Sequence, residues 1–438
     1  MVYMTNLETA LRDLNPWWKG AFHVEYKERE VFQELRRLLP HRFAVSLTGL
    51  RRVGKTTLLL RLAEEILRDG TDPRQVVFFS FDEFPAVDLR ELRRAAEEVS
   101  GAPPPGSRTI FLLDEIQKLN GWETQLKALY DLLGKQAKFV VSGSESLFIR
   151  KGSRESLAGR LLELQVHPLS FREYLGFRDI PREPVALYRP ELRRALTAFA
   201  GTMGFPELIG ADRPLVRSFA RESIVVRVLY RDLPTVLRIR NVSLLESLLN
   251  LLTDEPGQLV EVSGLAGELG VSRNTLSTYL SYLEKAFLVR KLYNYAPGRR
   301  KQERRLKKYY PAVLSANLPF ASDELSRART LEWLIVTQLR AEYFWRDPYK
   351  NEVDVVLPGT PPIPVEVKSG KVELHGLLAF MERFRVPKGY IVTTDLEETR
   401  RVDGRTIELV PAYKFLLSPP RVEEGPPARN PPRRGSVK

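Results

Sequence analysis

The chain has 438 residues, a formal net charge of +13 and no cysteine, too long for a single domain of roughly 100 to 200 residues. The missing Cys excludes disulfides, thiolate zinc sites, iron–sulfur clusters and a Cys nucleophile, and four scattered His make no His-based metal site. With 43% hydrophobic and 28% charged residues, no long apolar run and no signal-peptide order in residues 1–19, the composition predicts a soluble, cytoplasmic protein without membrane contact.

Short β-branched and aromatic runs at 42–47, 75–81, 109–113, 138–141 and 162–166 alternate with helical patterns. Buried strands separated by helices predict an α/β fold with a mostly parallel sheet, placed in a core of residues 1–170. Pro103-Pro104-Pro105-Gly106 marks a turn before the third strand. Residues 171–240 lose the strands and read as a helical lid. Residues 241–310 read as three helices, a strand-like run at 287–293 and a basic segment. Residues 311–420 begin with a helix (325–342) and continue with strands at 343–346, 352–357 and 364–368, a helix at 375–384 and a strand at 389–393. The remaining 421–438 are rich in Pro, Gly and Arg and predict a disordered basic tail.

Charge is local rather than spread. Segment 298–308 holds seven basic residues and one acid, and the tail adds three net charges more. A concentrated positive segment points to a polyanion, with DNA as the first candidate.

Gly49-Leu50-Arg51-Arg52-Val53-Gly54-Lys55-Thr56-Thr57 follows the first strand and opens an amphipathic helix. Gly-rich loops in that position wrap phosphates with backbone N–H groups at the positive end of a helix. Lys55 would reach the β and γ phosphates of ATP and Thr56 would offer its hydroxyl to Mg²⁺. The third strand, 59 positions after Lys55, ends in Asp114-Glu115. There Asp114 would hold Mg²⁺ and Glu115 would polarise the attacking water. The fourth strand ends Val141-Ser142-Gly143-Ser144, with Ser144 a candidate γ-phosphate sensor.

With these motifs, and with Leu157-Ala158-Gly159-Arg160, 168–174, Gly204-Phe205-Pro206-Glu207 and Tyr230-Arg231-Asp232-Leu233-Pro234, residues 20–240 resemble the AAA+ ATPases of the archaeal-type, STAND-like branch. The resemblance implies that Arg160 acts as an arginine finger on a neighbouring subunit's nucleotide, in a homo-oligomer, and that the Gly-Phe-Pro segment carrying Pro206 lies against the base.

Residues 265–272 and 273–280 read helix, Gly-containing turn, helix, the pattern of a winged helix-turn-helix. Arg273, Asn274 and Ser277 would face outward at the start of the second helix, where DNA is contacted, and Arg299, Arg300 and Lys301 would track phosphates.

Glu352-Val353-Asp354-Val355-Val356-Leu357 and Pro364-Val365-Glu366-Val367-Lys368 predict paired strands with Glu366 and Lys368 on one face. This block resembles the PD-(D/E)xK, restriction-endonuclease-like fold. The resemblance implies that Asp354 and Glu366 bind Mg²⁺, that Lys368 orients the water and that Glu332 assists the metal. Three functions follow: an ATPase that couples nucleotide state to DNA, an ATP-regulated DNA endonuclease, or a nucleotide-dependent scaffold for protein partners without DNA binding.

Overall fold

The computed structural model describes residues 2–144, 157, 159–237, 239, 241–296, 298, 301–302, 305–315 and 317–420. Ala158, Arg299, Arg300 and the basic tail lie outside the described residues.

The first unit is built on a five-stranded sheet of β1 (Ala44–Thr48), β2 (Val76–Ser80), β3 (Thr109–Asp114), β4 (Ala137–Gly143) and β5 (Leu161–Gln165), in the order β2-β3-β4-β1-β5. Every pairing is parallel, for example Val45 with Val140 and Leu112 with Val140. All residues of β1 and β4 are buried, as expected of parallel strands covered on both faces. The five strands fall within about two residues of the runs read from the sequence, the usual uncertainty of element ends. Two helices serve the phosphate loop: α1 (Glu30–Leu38), entered from Arg29, and α2 (Lys55–Arg68), which leaves β1 through that loop. Helix α3 (Phe171–Phe177) follows β5, its start fixed by a reciprocal Ser170–Glu173 capping box.

Contacts divide the chain into two compact units. The first gathers Met1–Arg182, Gly201–Leu249 and Thr278–Val289; the second gathers Glu183–Ala200, Asn250–Ser277 and the described residues of Arg290–Lys438. The helical stretch read as one lid is thus divided, with Glu183–Ala200 clustering in the second unit. Further along come α4 (Val242–Asp254), β6 (Gln258–Val260), α5 (Val262–Glu268), α6 (Arg273–Lys285), β7 (Val289–Asn294) and β8 (Lys307–Pro311).

After α7 (Glu324–Gln338), strands β9 (Tyr343–Arg346) and β10 (Glu352–Val353) complete a sheet of order β10-β9-β7-β8-β6. A second mixed sheet, β11-β12-β13-β15-β14, holds β11 (Val355–Leu357), β12 (Ile363–Lys368), β13 (Lys388–Thr393), β14 (Glu398–Val402) and β15 (Arg405–Pro411), with α8 (His375–Arg383) between β12 and β13. The expected single strand at 352–357 is two short strands, because the chain passes from one sheet to the other at Asp354. No helix among the described residues is long and apolar enough to cross a membrane.

Candidate functional site

The loop after β1 is shaped by its glycines. Gly49 has φ +146°, and a Cβ there would stand 2.2 Å from the Val166 carbonyl oxygen, so no side chain fits. Gly54 takes a left-handed conformation, φ +95°, at the N-terminus of α2. Lys55 is buried and donates from Nζ to the Gly49 and Leu50 carbonyls at 3.0 and 2.8 Å. Burial lowers its pKa from the ordinary value, opposed by the nearby charges of Glu115 and Asp114. Thr56 and Thr57 stand exposed on the first turn of α2.

Three strand ends converge on this loop. Thr56 Oγ1 donates to Asp114 Oδ2 at 2.9 Å, joining α2 to the end of β3. Asp114 also accepts from the Ser142 hydroxyl of β4, and Ser142 Oγ accepts from the Glu115 N–H at 3.2 Å. Glu115 has a left-handed φ of +51°, and its Oε2 accepts from Gln117 Nε2, which also reaches Ser144 Oγ at 3.3 Å. The Thr56 hydroxyl and the Asp114 carboxylate are hard oxygen donors beside a phosphate-binding loop, a set that fits Mg²⁺ carried by a nucleotide. Gln117, which links Glu115 to Ser144, was not singled out in the sequence.

A second omission is Arg29. Its guanidinium is buried, donating from Nη1 to the Val53 carbonyl (2.7 Å), from Nη2 to His167 O (2.7 Å) and from Nε to Glu173 Oε1 (2.9 Å). One side chain thereby ties the phosphate loop to the start of α1, the end of β5 and α3.

Arg51 and Arg52, expected at the nucleotide, are engaged elsewhere. Arg51 makes a bidentate pair with Asp232 at 2.6 and 3.0 Å, and Arg52 pairs with Glu207 at 2.6 Å. Both carboxylates belong to the helical segment after residue 200, in the motifs that also contain Pro206 and Arg231. Pro206 opens a short 3-10 turn, and Gly204 beside it touches Pro168 and Leu169, with Leu169 N–H donating to Gly204 O at 2.7 Å. Arg160 pairs with Asp131 of its own chain at 3.1 Å.

A cavity of about 500 Å³ adjoins the loop, lined by Arg51, Lys118, Arg227 and Arg231 against Asp82 and Asp232. Two of these arginines lie on π-helical turns (Phe219–Val226 and Val228–Asp232) or at their junction, a distortion frequent at functional sites. Arg51 and burial together lower the Arg227 pKa from its ordinary value, so the cavity holds crowded positive charge. The volume lies within the ~300–1,000 Å³ of small-ligand pockets.

In the second unit, Arg273, Asn274 and Ser277 are exposed at the start of α6, and Ser272 Oγ caps that helix at Thr275 N–H, 3.1 Å. Lys301 is exposed too. Lys308, counted with the phosphate-tracking segment, is instead buried, and Arg305 bonds to Asn294 Oδ1 and Tyr295 O at 3.2 and 3.3 Å. Strand β8 is buried from Lys308 to Pro311, and Lys308 is enclosed with it among other side chains.

Two of those side chains, Glu332 and Asp354, belong to the set read as a nuclease site; the third, Glu352, was not singled out in the sequence. Lys308 Nζ lies 3.1 Å from Glu332 Oε1, 2.5 Å from Glu352 Oε1 and 3.7 Å from Asp354 Oδ1. Tyr310 donates to Glu332 at 2.6 Å, Val367 N–H donates to Asp354 Oδ2 at 2.8 Å, and Lys368 pairs with Glu366 at 2.8 Å. Burial and the charge of Glu332 push the Asp354 carboxyl up to about 8. The expected Mg²⁺ ligands Asp354 and Glu366 are therefore not arranged as an open shell, and among the described residues no three His, Asp or Glu are grouped to hold a metal. Lys308 and Lys368 each hold ion pairs with these carboxylates.

A family model described as AAA domain matches residues 41–175, and two models described as domains of unknown function (DUF8612 and DUF4143) match residues 196–312 and 331–415. An uncharacterized protein of Haemophilus influenzae is 26% identical over 58% of this chain, which spans 63% of that protein. An uncharacterized protein of Methanocaldococcus jannaschii is 26% identical over 85% of this chain and 84% of its own length. The structure of C. elegans PCH-2 matches 44% of this chain and 46% of that chain with a TM-score of 0.23 and 14% identity, too slight a likeness to argue from.

Proposed function

We propose that the chain is an Mg²⁺-dependent ATPase whose AAA domain couples nucleotide state to DNA engagement. The hydrogen-bonded chain from Thr56 through Asp114 and Ser142 to Glu115 carries the ATPase reading. It joins Asp114 and Glu115 to the loop residue Thr56, which supports Asp114 as the metal-holding and Glu115 as the water-polarising carboxylate of phosphoryl transfer. Arg51–Asp232 and Arg52–Glu207 supply the coupling: a bound triphosphate beside them competes with Asp232 and Glu207 for two cations, so nucleotide state acts on the helical lid. Arg160, surface-accessible within its pair, would serve a neighbouring subunit in a homo-oligomer.

The DNA reading rests on the order α4, β6, α5, α6, β7, β8, which is that of a winged helix, with Arg273, Asn274 and Ser277 exposed on α6. Lys301 in the β7–β8 connection would lie along phosphates. Replacing Arg299, Arg300 and Lys301 together with Ala is expected to weaken binding to unrelated duplexes alike. It should also flatten the slope of log affinity against log salt by up to about 3, since each lost phosphate contact removes ~0.9. An unchanged slope in fluorescence-anisotropy titrations defeats the DNA reading and leaves a scaffold for protein partners.

The coupling has its own test. Asp232→Asn, which removes the charge that Arg51 pairs with, should change the ATP concentration at half-maximal turnover several-fold, with the sign set by whether Arg51 then reaches phosphate or merely loosens the loop. Steady-state ATPase kinetics with and without DNA would read it, and identical constants for variant and wild type would remove Asp232 from the coupling.

A further inference from the structure

We infer that Lys308 is the resident cation of the carboxylate pocket formed by Glu332, Glu352 and Asp354, and that with Lys308 in place the pocket does not take up a divalent metal.

The geometry comes first. Lys308 is 4% exposed, and its ammonium meets a carboxylate from each of three places in the chain: helix α7, strand β10 and the crossing between sheets. A Lys ammonium has three N–H donors, and three acidic groups surround it. Its remaining neighbours are the Phe344 ring, 5.7 Å from Nζ to the centroid, and Tyr310, whose hydroxyl is spent on Glu332. Glu352 has a second cation, Arg346, at 3.0 Å. The Glu332 and Glu352 oxygens that would face a metal are already bonded to Lys308.

Charge balance agrees. Lys308, Arg346 and Lys368 supply three positive charges against Glu332, Glu352, Asp354 and Glu366. Three side-chain cations against four carboxylates leave the pocket within one charge of balance with no metal present, so a divalent ion would overshoot that balance. A lysine in β8 is also permanently attached: it needs no uptake from solution and holds α7 and the two sheets together at one point. One oxygen remains outside the arrangement, since Glu366 Oε2 is buried without a hydrogen-bond partner. The other Glu366 oxygen pairs with Lys368 at 2.8 Å, so this carboxylate too has a side-chain cation.

The test uses terbium(III), a hard, oxygen-seeking ion sensitised by nearby tyrosine, added to the nucleotide-free full chain. Tyr310, bonded to Glu332, is the antenna. Wild type is expected to show no sensitised emission that depends on Asp354, judged against Asp354→Asn. Lys308→Met, which keeps the length of the side chain and removes the charge, should gain emission several-fold, competed by Mg²⁺ and lost again when Asp354→Asn is added. Should Lys308→Met unfold for lack of a cation, recovery of its melting transition on adding Mn²⁺ supports the inference equally. Asp354-dependent emission from wild type overturns it. So does a Lys308→Met chain that neither binds terbium nor regains its transition with Mn²⁺.

Discussion

Lys55→Ala removes both ATP binding and hydrolysis, whereas Glu115→Gln keeps binding and stops turnover. The difference follows from where each side chain sits. Lys55 is buried under the loop with Nζ on the Gly49 and Leu50 carbonyls, so in the proposed ATPase it both shapes the loop and offers its charge to the β and γ phosphates. Its loss leaves two loop carbonyls without their donor and the phosphates without their counter-charge, and ground state and transition state weaken together. Glu115 stands one residue beyond the end of β3. Its N–H is held by Ser142 and its carboxylate by Gln117, an arrangement that fixes the carboxylate for the water-polarising role proposed for it, a role expected to contribute little to affinity. Removing such a transition-state group lowers kcat by about 10² to 10³-fold, or more. Isothermal titration with a non-hydrolysable ATP analogue and a phosphate-release assay separate the two outcomes. If Glu115→Gln turns over at the wild-type rate, the water-polarising role passes to another residue; if Lys55→Ala binds ATP normally, the loop is not the phosphate site.

The sequence displayed the AAA-type sheet clearly because each strand is a short, fully buried apolar run and the helices between them are amphipathic. The loop glycines and the Asp114-Glu115 pair were legible for a related reason: they are short motifs with fixed spacing from strand ends. The β14–β15 hairpin was not, although Asp403-Gly404 with positive φ values at both positions is the turn that two-residue hairpins favour. Its strands, Glu398–Val402 and Arg405–Pro411, carry charged residues on an open face, and that masked the alternation. Lys308 was misjudged because charge was summed over a window, while this residue lies in the continuously buried part of β8, Lys308 to Pro311. Arg29 could not be found at all. Its partners Val53, His167 and Glu173 lie 24, 138 and 144 positions away, and no local pattern carries such a contact.

That long-range contact makes Arg29 the strongest test of how the phosphate loop is held. Arg29→Ala should lower both the stability of the AAA domain and its ATP affinity, although residue 29 is nowhere near a recognised motif. Arg29 and Glu173 are 5% and 7% exposed, and breaking a buried pair by removing one partner costs ~3–5 kcal/mol because the other charge stays behind. Glu173 keeps backbone donors, Ser170 N–H at 2.8 Å and Glu30 N–H at 2.7 Å, so the lower end of that range applies. Even so, about 3 kcal/mol is a large share of the ~5–15 kcal/mol that holds a domain folded. The Val53 carbonyl loses its donor at the same time, and the backbone immediately before Gly54 and Lys55 is released. The two effects can be told apart: Glu173→Gln keeps a neutral acceptor for Arg29 and should cost stability with little change in ATP affinity, while Arg29→Ala costs both. The double variant Arg29→Ala/Glu173→Ala should lose less than the sum of the single losses, since neither leaves an unpaired charge for the other to expose. Thermal melts with and without a non-hydrolysable ATP analogue give stability and affinity from one experiment. An Arg29→Ala chain that melts with wild type and is stabilised equally by nucleotide shows that the loop holds its shape without this brace.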